Sequence, residues 1–410
     1  MSNTIQEGDH VVLVKNFDTE NTKIIPVTQA GTVVYYGKLR FDPSPLIGAS
    51  FGSVFVIKDE TMVKIDNFEK FDDELTEVVA KNLITYKDKS TFSQEKIILK
   101  KKKQSHSNVV TAVRPTLMRI NEMFFSRDKI GGIRIDTLAQ ILTLSNIQNG
   151  SKCLVLDHNL GIITAAVMSR ILPQGTCIQL VPDLDYLQTT RRALSMLNIR
   201  VDECRDNLLA ISIRDIYKVK KGTDDFEGEN EILRARRRDH LERLSRADGD
   251  ATKCDKTNES MDLDGGSTTI SNNETLQNTL IKKDAFRELR NQERINAARI
   301  LKSKSLDSMI LVVQNTDPLP LIKLTFEFLP TSKQFVIYSD TIEPLIECHQ
   351  YLKTSSMAVS LNLSESWFRK YQVLPDRTRP EMNMSGYGGY LLSGTKALYG
   401  PSDNEKCISS

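Results

Sequence analysis

Residues 152–183, KCLVLDHNLGIITAAVMSRILPQGTCIQLVPD, constrain the fold more than any other stretch of the chain. An apolar run of strand length, Cys153–Leu156, meets a polar turn. Apolar or small residues then recur at helical spacing (Ile162, Ala165, Ala166, Ser169), Pro173 to Gly175 break the pattern, and a second apolar run follows. This predicts a β-α-β unit. In a nucleotide-binding unit of this kind the first turn is glycine-rich, so that the backbone approaches the ligand and offers N–H groups at the helix start. Here the turn reads Asp157-His158-Asn159-Leu160-Gly161, and of a G-x-G-x-G pattern only the final position, Gly161, is glycine. The scaffold of a cofactor site is present, whereas its contact surface is not.

A chain of 410 residues, 40% of them hydrophobic, is long enough for two domains with sizeable cores. No uninterrupted apolar segment approaches the ~20 residues of a membrane span, so no membrane partner is expected. The first residues, MSNTIQEGDH, lack the basic and apolar blocks of a signal peptide, and an intracellular location is expected. Six scattered cysteines without a C-x-x-C pair predict reduced structural thiols and no metal site. The net charge of +2 announces no polyanionic partner, but Lys100, Lys101, Lys102 and Lys103 form an unbroken basic run and six arginines crowd residues 234–246. Such runs are more often solvated surface or linker than binding sites.

From Val11 to Tyr86 the chain is built of short β-rich runs, HVVLV, KIIPV, TVVYYGKLRF, GSVFVI and NLITY, separated by turn residues. They predict a small antiparallel β-barrel or sandwich over residues 1–105, closed by the lysine-rich stretch 90–110. Residues 106–410 predict an α/β domain. Helices are expected around Leu117–Phe124, Leu138–Leu142 and Asp185–Leu197, with a short strand at Val201–Cys204. Residues 218–280 are so polar that a disordered insertion is expected, flanked by helices at Glu231–Arg246 and Ile281–Leu301. The sheet resumes at Met309–Val313; Pro318-Leu319-Pro320 opens a helix, Phe335–Tyr338 is the next strand and Ile342–Leu352 the next helix. Trp367–Leu374 and Gly389–Leu392 read as a closing antiparallel pair. A mostly parallel sheet with one reversed strand is similar to that of a class I, Rossmann-like methyltransferase.

With these elements placed, the chain resembles the tRNA adenine-58 N1-methyltransferase family, and within it the non-catalytic branch. FFSRDKIGGIRIDTLAQILTLSNIQNGSKCLVLD looks like the family's approach to the cofactor strand, and FVIYSDTIEPLIECHQYL like its strand and helix after the active site. WFRKYQVLPDRTRPEMNMSGYGGYLLSGTK resembles the tail of the non-catalytic branch.

The catalytic motifs of that family are degenerate here. Alignment on Gly161 and Thr164 puts Asp157 and Asn159 where the first two glycines of the cofactor loop would lie. Asn159 can adopt a positive φ and preserve the turn. The Asp157 carboxylate would face that of S-adenosylmethionine, a like-charge encounter unfavourable by about several kcal/mol. The acid that accepts hydrogen bonds from the ribose falls on Val181, with Asp183 two residues on as a helix cap. Alignment on Pro318 and Pro320 puts Thr316, beside Asp317, in place of the catalytic aspartate, and threonine cannot take a proton as a carboxylate does. His158 reads as a solvent-facing turn residue, and no catalytic residue is expected.

The resemblance therefore implies a pseudo-enzyme: no cofactor in this chain, S-adenosylmethionine and catalysis in a catalytic partner subunit, a heterotetramer of two plus two, tRNA as the bound substrate, and a nuclear location. Lys100–Lys103 and the pair Arg377 and Arg379 are the candidates for phosphate contacts. A linker or nuclear-import signal is the alternative for the lysines, and an ion pair bracing the tail or the subunit interface is the alternative for the arginines. Two rival functions stay open at this point: an active S-adenosylmethionine-dependent RNA methyltransferase, and an RNA-binding scaffold in translation initiation.

Overall fold

The computed structural model describes residues 3–15, 21–29, 32–68, 70–71, 73, 100, 106, 108–127, 132–184, 187, 191–200, 203–228, 231, 235, 287–373, 377–382 and 386–398. Two compact units are present. The first comprises residues 1–135, 159–165 and 191–203, and the second comprises 136–158, 166–190 and 204–410.

In the first unit, strands β1 (His10–Lys15), β2 (Thr22–Pro26), β5 (Val54–Lys58), β6 (Thr61–Ile65) and β7 (Val109–Val113) form an antiparallel sheet in the order β2-β1-β7-β5-β6. Val11, Leu13, Phe55, Val110 and Ala112 bury one face of it with Phe41 and Leu46, while Val12 and Val14 pack on the other side with Met123 of helix α1 (Leu117–Arg127). Because β1 is covered on both faces, it reads as a continuous apolar run rather than an alternating one. The β-rich run TVVYYGKLRF folds back on itself at its glycine: β3 (Val34–Tyr36) pairs with β4 (Leu39–Phe41) across Gly37, whose φ of 62° suits a tight turn. Asp59 and Glu60, both at positive φ, make the equivalent turn between β5 and β6.

Two expectations bear on this unit. Among the described residues β2 and β6 are open edges and β3–β4 is a separate ribbon, so the pairing they show is that of an open antiparallel sheet. Pro26, which lacks an N–H, lies on an edge strand, where that loss is tolerated. The N-terminal sheet also continues past residue 105, since β7 is its central strand. NLITY lies outside the described residues.

The first unit includes residues from far along the chain. His10 N–H donates to Asn198 Oδ1 at 2.6 Å and Asn198 Nδ2 donates to the His10 carbonyl at 3.1 Å, a pairing across 188 residues. Asn198 follows helix α4 (Arg192–Met196) and sits at φ 58°, a conformation asparagine reaches more cheaply than most residues.

The second unit is built on a seven-stranded sheet in the order β10-β9-β8-β11-β12-β16-β13. Its strands are β8 (Lys152–Asp157), β9 (Thr176–Val181), β10 (Leu208–Ser212), β11 (Ser308–Val313), β12 (Gln334–Ser339), β13 (Ala358–Glu365) and β16 (Tyr390–Lys396). The first five run parallel, and β16 is antiparallel to both β12 and β13. This is the mostly parallel sheet with one reversed strand that the sequence predicts. Every residue of β11 is buried, and each large side chain among them contributes about 1.5–3 kcal/mol through burial. Helices α2 (Ile135–Leu144), α3 (Ile162–Ile171), α5 (Ile213–Lys221), α6 (Pro318–Thr325) and α7 (Glu343–Thr354) accompany the strands, with a further helix over 287–302.

Three details differ from expectation. Of the expected strand Val201–Cys204, residues 201 and 202 lie outside the described residues and 203 and 204 are in a turn; the next strand described is β10, at Leu208–Ser212. The partner of β16 is β13, whereas Tyr371–Gln372 (β14) pairs with Arg379–Pro380 (β15) in a small ribbon of its own. Residues 218–221 belong to α5, which ends on Gly222 at φ 70°, and Phe226 is buried beyond it; most of the expected insertion at 218–280 lies outside the described residues.

An ion pair holds the two described flanks of that insertion together. Arg294 donates to both carboxylate oxygens of Asp215 at 2.6 and 2.9 Å, while its guanidinium lies 4.4 Å from the Phe226 ring centroid.

Candidate functional site

In a sheet of this kind ligands bind outside the carboxyl ends of the strands, beside the first strand. Here the turn after that strand carries buried polar side chains in place of glycines. Asp157, the last residue of β8, is 2% exposed, and Asn159 is 4% exposed. The positive φ values of the turn fall on Leu160 (51°) and Gly161 (85°), so Asn159 does not take the left-handed conformation that glycine would supply. Its carbonyl instead accepts from Ile162 N–H at 3.0 Å and starts α3.

His158 is half-buried and not the solvent-facing turn residue expected from sequence. Its backbone N–H reaches the Val312 carbonyl at 3.4 Å, and its Nδ1 accepts from Gln314 N–H at 3.3 Å. An Nδ1 that accepts leaves the ring proton on Nε2. The imidazole thus ties the turn to the end of β11.

The other two positions agree with this replacement. Val181 is fully buried and packs with Leu187 and Ala210, where a ribose would need a carboxylate acceptor. Asp183 is exposed. Thr316 is exposed, and its hydroxyl donates to the Gln314 carbonyl at 3.3 Å. Asp317 accepts from Leu319 N–H at 2.9 Å and so caps α6. The nearby carboxylate that could have replaced the missing catalytic acid is engaged as a helix cap. Residues with these side chains do not fit S-adenosylmethionine: two glycines of the cradle are replaced by Asp157 and Asn159, and the ribose position is apolar.

Among the described residues the cysteines offer no alternative nucleophile. Cys153, Cys177, Cys204 and Cys348 are buried, and burial pushes the thiols of Cys153 and Cys348 up to about 12. Among the described residues no cluster of three His, Cys, Asp or Glu side chains could hold a metal ion.

The basic candidates are less gathered than the sequence suggests. Lys100 is exposed, and Lys101, Lys102 and Lys103 lie outside the described residues. Arg377 and Arg379 are both exposed. Arg379 Nε donates to Gln372 Oε1 at 3.4 Å across the β14–β15 ribbon, and among the described residues neither arginine forms an ion pair.

Sequence reasoning missed a polar clamp at the other end of the same sheet edge. Tyr338, on β12, donates its hydroxyl to Asp340 Oδ1 at 3.0 Å, and Tyr387 donates to the Asp340 carbonyl. Thr137, in the first turn of α2, donates to the Gly388 carbonyl at 2.8 Å; Ser366 donates to Asp136 Oδ2 at 2.8 Å. Gly389 sits at φ 70°, with a Cβ built there only 2.3–2.5 Å from atoms of the Tyr338 ring. Burial raises the Asp340 carboxyl, and the Tyr338 hydrogen bond offsets part of the rise. Burial, then the negative charge of Asp340, pushes the Tyr387 phenol up to about 12, so it stays a donor at neutral pH. The one sequence sign of this clamp is the glycine-rich run GYGGY before the last strand.

Comparison with known proteins agrees with this geometry. The model of the Gcd10p family matches residues 69–242. The mouse tRNA (adenine(58)-N(1))-methyltransferase non-catalytic subunit TRM6 is 30% identical over 343 residues, spanning 78% of this chain and 67% of the mouse protein. The Dictyostelium discoideum protein of the same description is 28% identical over 446 aligned positions, spanning 96% of this chain and 80% of the relative. Among solved structures, an S-adenosylmethionine-dependent O-methyltransferase from Thermotoga maritima superposes with a TM-score of 0.52 at 11% identity, covering 96% of this chain and 95% of its own. That likeness shows the fold alone.

Proposed function

We propose, from the premise that this chain belongs to the family of non-catalytic subunits of tRNA (adenine-58-N1)-methyltransferase, that it binds tRNA for a catalytic partner subunit and transfers no methyl group itself. The observation that carries this reading is the contrast between a complete seven-stranded sheet and a cofactor turn and ribose position that hold the buried residues Asp157, Asn159 and Val181. The partner holds S-adenosylmethionine and the catalytic acid, and the two chains assemble as two copies of each in the nucleus. Folded tRNA is recognised mainly through its shape and its phosphates, a task for surface cations rather than for a catalytic pocket. Arg377, Arg379 and the Lys100–Lys103 run are the contacts proposed for this chain.

Coexpression with the catalytic partner tests the reading. The complex methylates whole tRNA at adenine 58, each chain alone is inactive, and calorimetry detects no binding of S-adenosylmethionine to this chain alone. Micromolar cofactor binding by the isolated chain, or a partner fully active without it, overturns the proposal.

A further inference from the structure

The connection from β13 to β16 is fixed at its base, and most of its described residues beyond the base are exposed. At the base stand the hydrogen bonds of Thr137, Ser366, Tyr338 and Tyr387 and the close approach of Gly389 to the Tyr338 ring. Beyond it the β14–β15 ribbon has a ladder of its own, Tyr371 opposite Pro380 and Gln372 opposite Arg379, extended by Glu381 N–H donating to the Lys370 carbonyl at 3.0 Å. A segment held this way presents its side chains at a defined place on the sheet edge.

What it presents is unusual for a solvated surface. Trp367, the single tryptophan of the chain, is 76% exposed; Tyr371 is 55% and Met382 79% exposed. Arg369, Lys370, Arg377 and Arg379 are exposed among them. Residues 366–382 carry four basic side chains and two acidic ones. Large apolar side chains left in water mark an interaction surface. Interleaving with cations selects the partner, because a polyanion with flat apolar faces complements both kinds of group.

We infer that this ribbon is a stacking platform for unpaired nucleobases of RNA, with Trp367 and Tyr371 against base faces and the arginines on the adjoining phosphates. The inference rests on the tRNA-binding reading and sharpens it, since phosphate contacts alone take paired and unpaired RNA alike, whereas a stacking platform requires bases free of a helix. Both aromatic residues are exposed, so their replacement leaves the core intact.

The test uses the full chain assembled with its catalytic partner. Binding of whole tRNA and of a perfectly paired RNA duplex is measured across a salt series for the wild type, Trp367→Ala, Tyr371→Ala and Trp367→Phe. Each alanine variant weakens tRNA binding by roughly 5- to 150-fold without changing the slope of log affinity against log salt. Trp367→Phe recovers most of the loss, and duplex binding is unchanged. Arg377→Gln, by contrast, lowers the slope by roughly 0.7–0.9 on both RNAs. Wild-type affinity in both alanine variants overturns the platform while leaving the tRNA-binding reading intact. Failure of those variants to assemble with the partner overturns it too, because the ribbon is then a protein interface. Absence of tRNA binding in the wild-type complex defeats the underlying reading itself.

Discussion

The carboxyl edge of the seven-stranded sheet carries two glycine-containing segments that follow opposite rules. At the turn after β8, side chains stand where a cofactor needs bare backbone, and only Gly161, with Leu160, keeps a left-handed conformation. At the start of β16, Gly389 meets the Tyr338 ring so closely that no Cβ fits. At the first place Asp157 and Asn159 stand where a bound cofactor would require glycine. The second keeps the requirement because the protein itself is the approaching group. Glycine thus marks the part of the edge where the chain still depends on contact.

The largest effect is expected at Gly389. Gly389→Ala combines a positive φ with overlap on an aromatic ring and costs about 3 kcal/mol or more in denaturant unfolding. Gly386→Ala is the control, because a Cβ there meets nothing within 4 Å, and it changes stability by less than about 0.5 kcal/mol. Equal stability of the two variants breaks the comparison. Next comes Val181→Asp, which restores an acid at the ribose position of the other segment. Its carboxyl enters the buried cluster with Leu187 and Ala210, so it costs about 2–3 kcal/mol, and calorimetry finds no gain in S-adenosylmethionine affinity. A gain would show that the substituted turn is not what excludes the cofactor. Tyr338→Phe, which removes the hydroxyl donated to Asp340, is smaller at about 1 kcal/mol.

The smallest effect is a pH signature that separates the two ends of β12. Asp307, just before β11, is partly desolvated by burial, yet hydrogen bonds from Lys333 Nζ at 2.7 Å and Lys152 N–H at 2.9 Å hold its carboxyl below the usual range. Its contribution is present above the unfolded-state pKa and is lost as pH falls through the depressed folded value. Asp340, whose carboxyl is raised by burial, acts in the reverse sense: its contribution is present below the unfolded-state pKa and is lost as pH rises through the folded value. Asp307→Asn therefore flattens the acid limb of the stability curve, whereas Asp340→Asn removes the decline that follows ionisation of that carboxyl. Slopes of the same sign in both variants, from denaturant titrations at successive pH values, contradict this assignment.

The sheet was legible where burial leaves a plain trace. β8, β9 and β11 are covered on both faces, so their apolar runs stand out, and the prolines at 318 and 320 announce α6. β13 was not legible: AVSLNLSE is an edge strand with a register shift between Val359 and Asn362 and Ser360 at φ 53°, which breaks the alternation. WFRKYQVL looked like a strand for the reason that now sets it apart, its aromatic and branched side chains, although most of these are solvated. At the cofactor place, the identities of Asp157, Asn159, Val181 and Thr316 could be read by counting from glycine and proline. The bond of His158 to Gln314 and the capping role of Asp317 depend on backbone geometry that no spacing encodes. The clamp was out of reach as well, since Asp340 and Tyr387 stand 47 residues apart and meet only once β12 and β16 are paired.

The pairing of Asn198 with His10 sets an order on the synthesis of the chain. β1 leaves the ribosome well ahead of its partner: the backbone amide and carbonyl at its first residue are bonded only after residue 198, 188 positions further on, has emerged. During that interval the N-terminal sheet carries an unfinished margin, and a fragment ending at residue 135 carries it permanently. The strand is thus made long before it is completed.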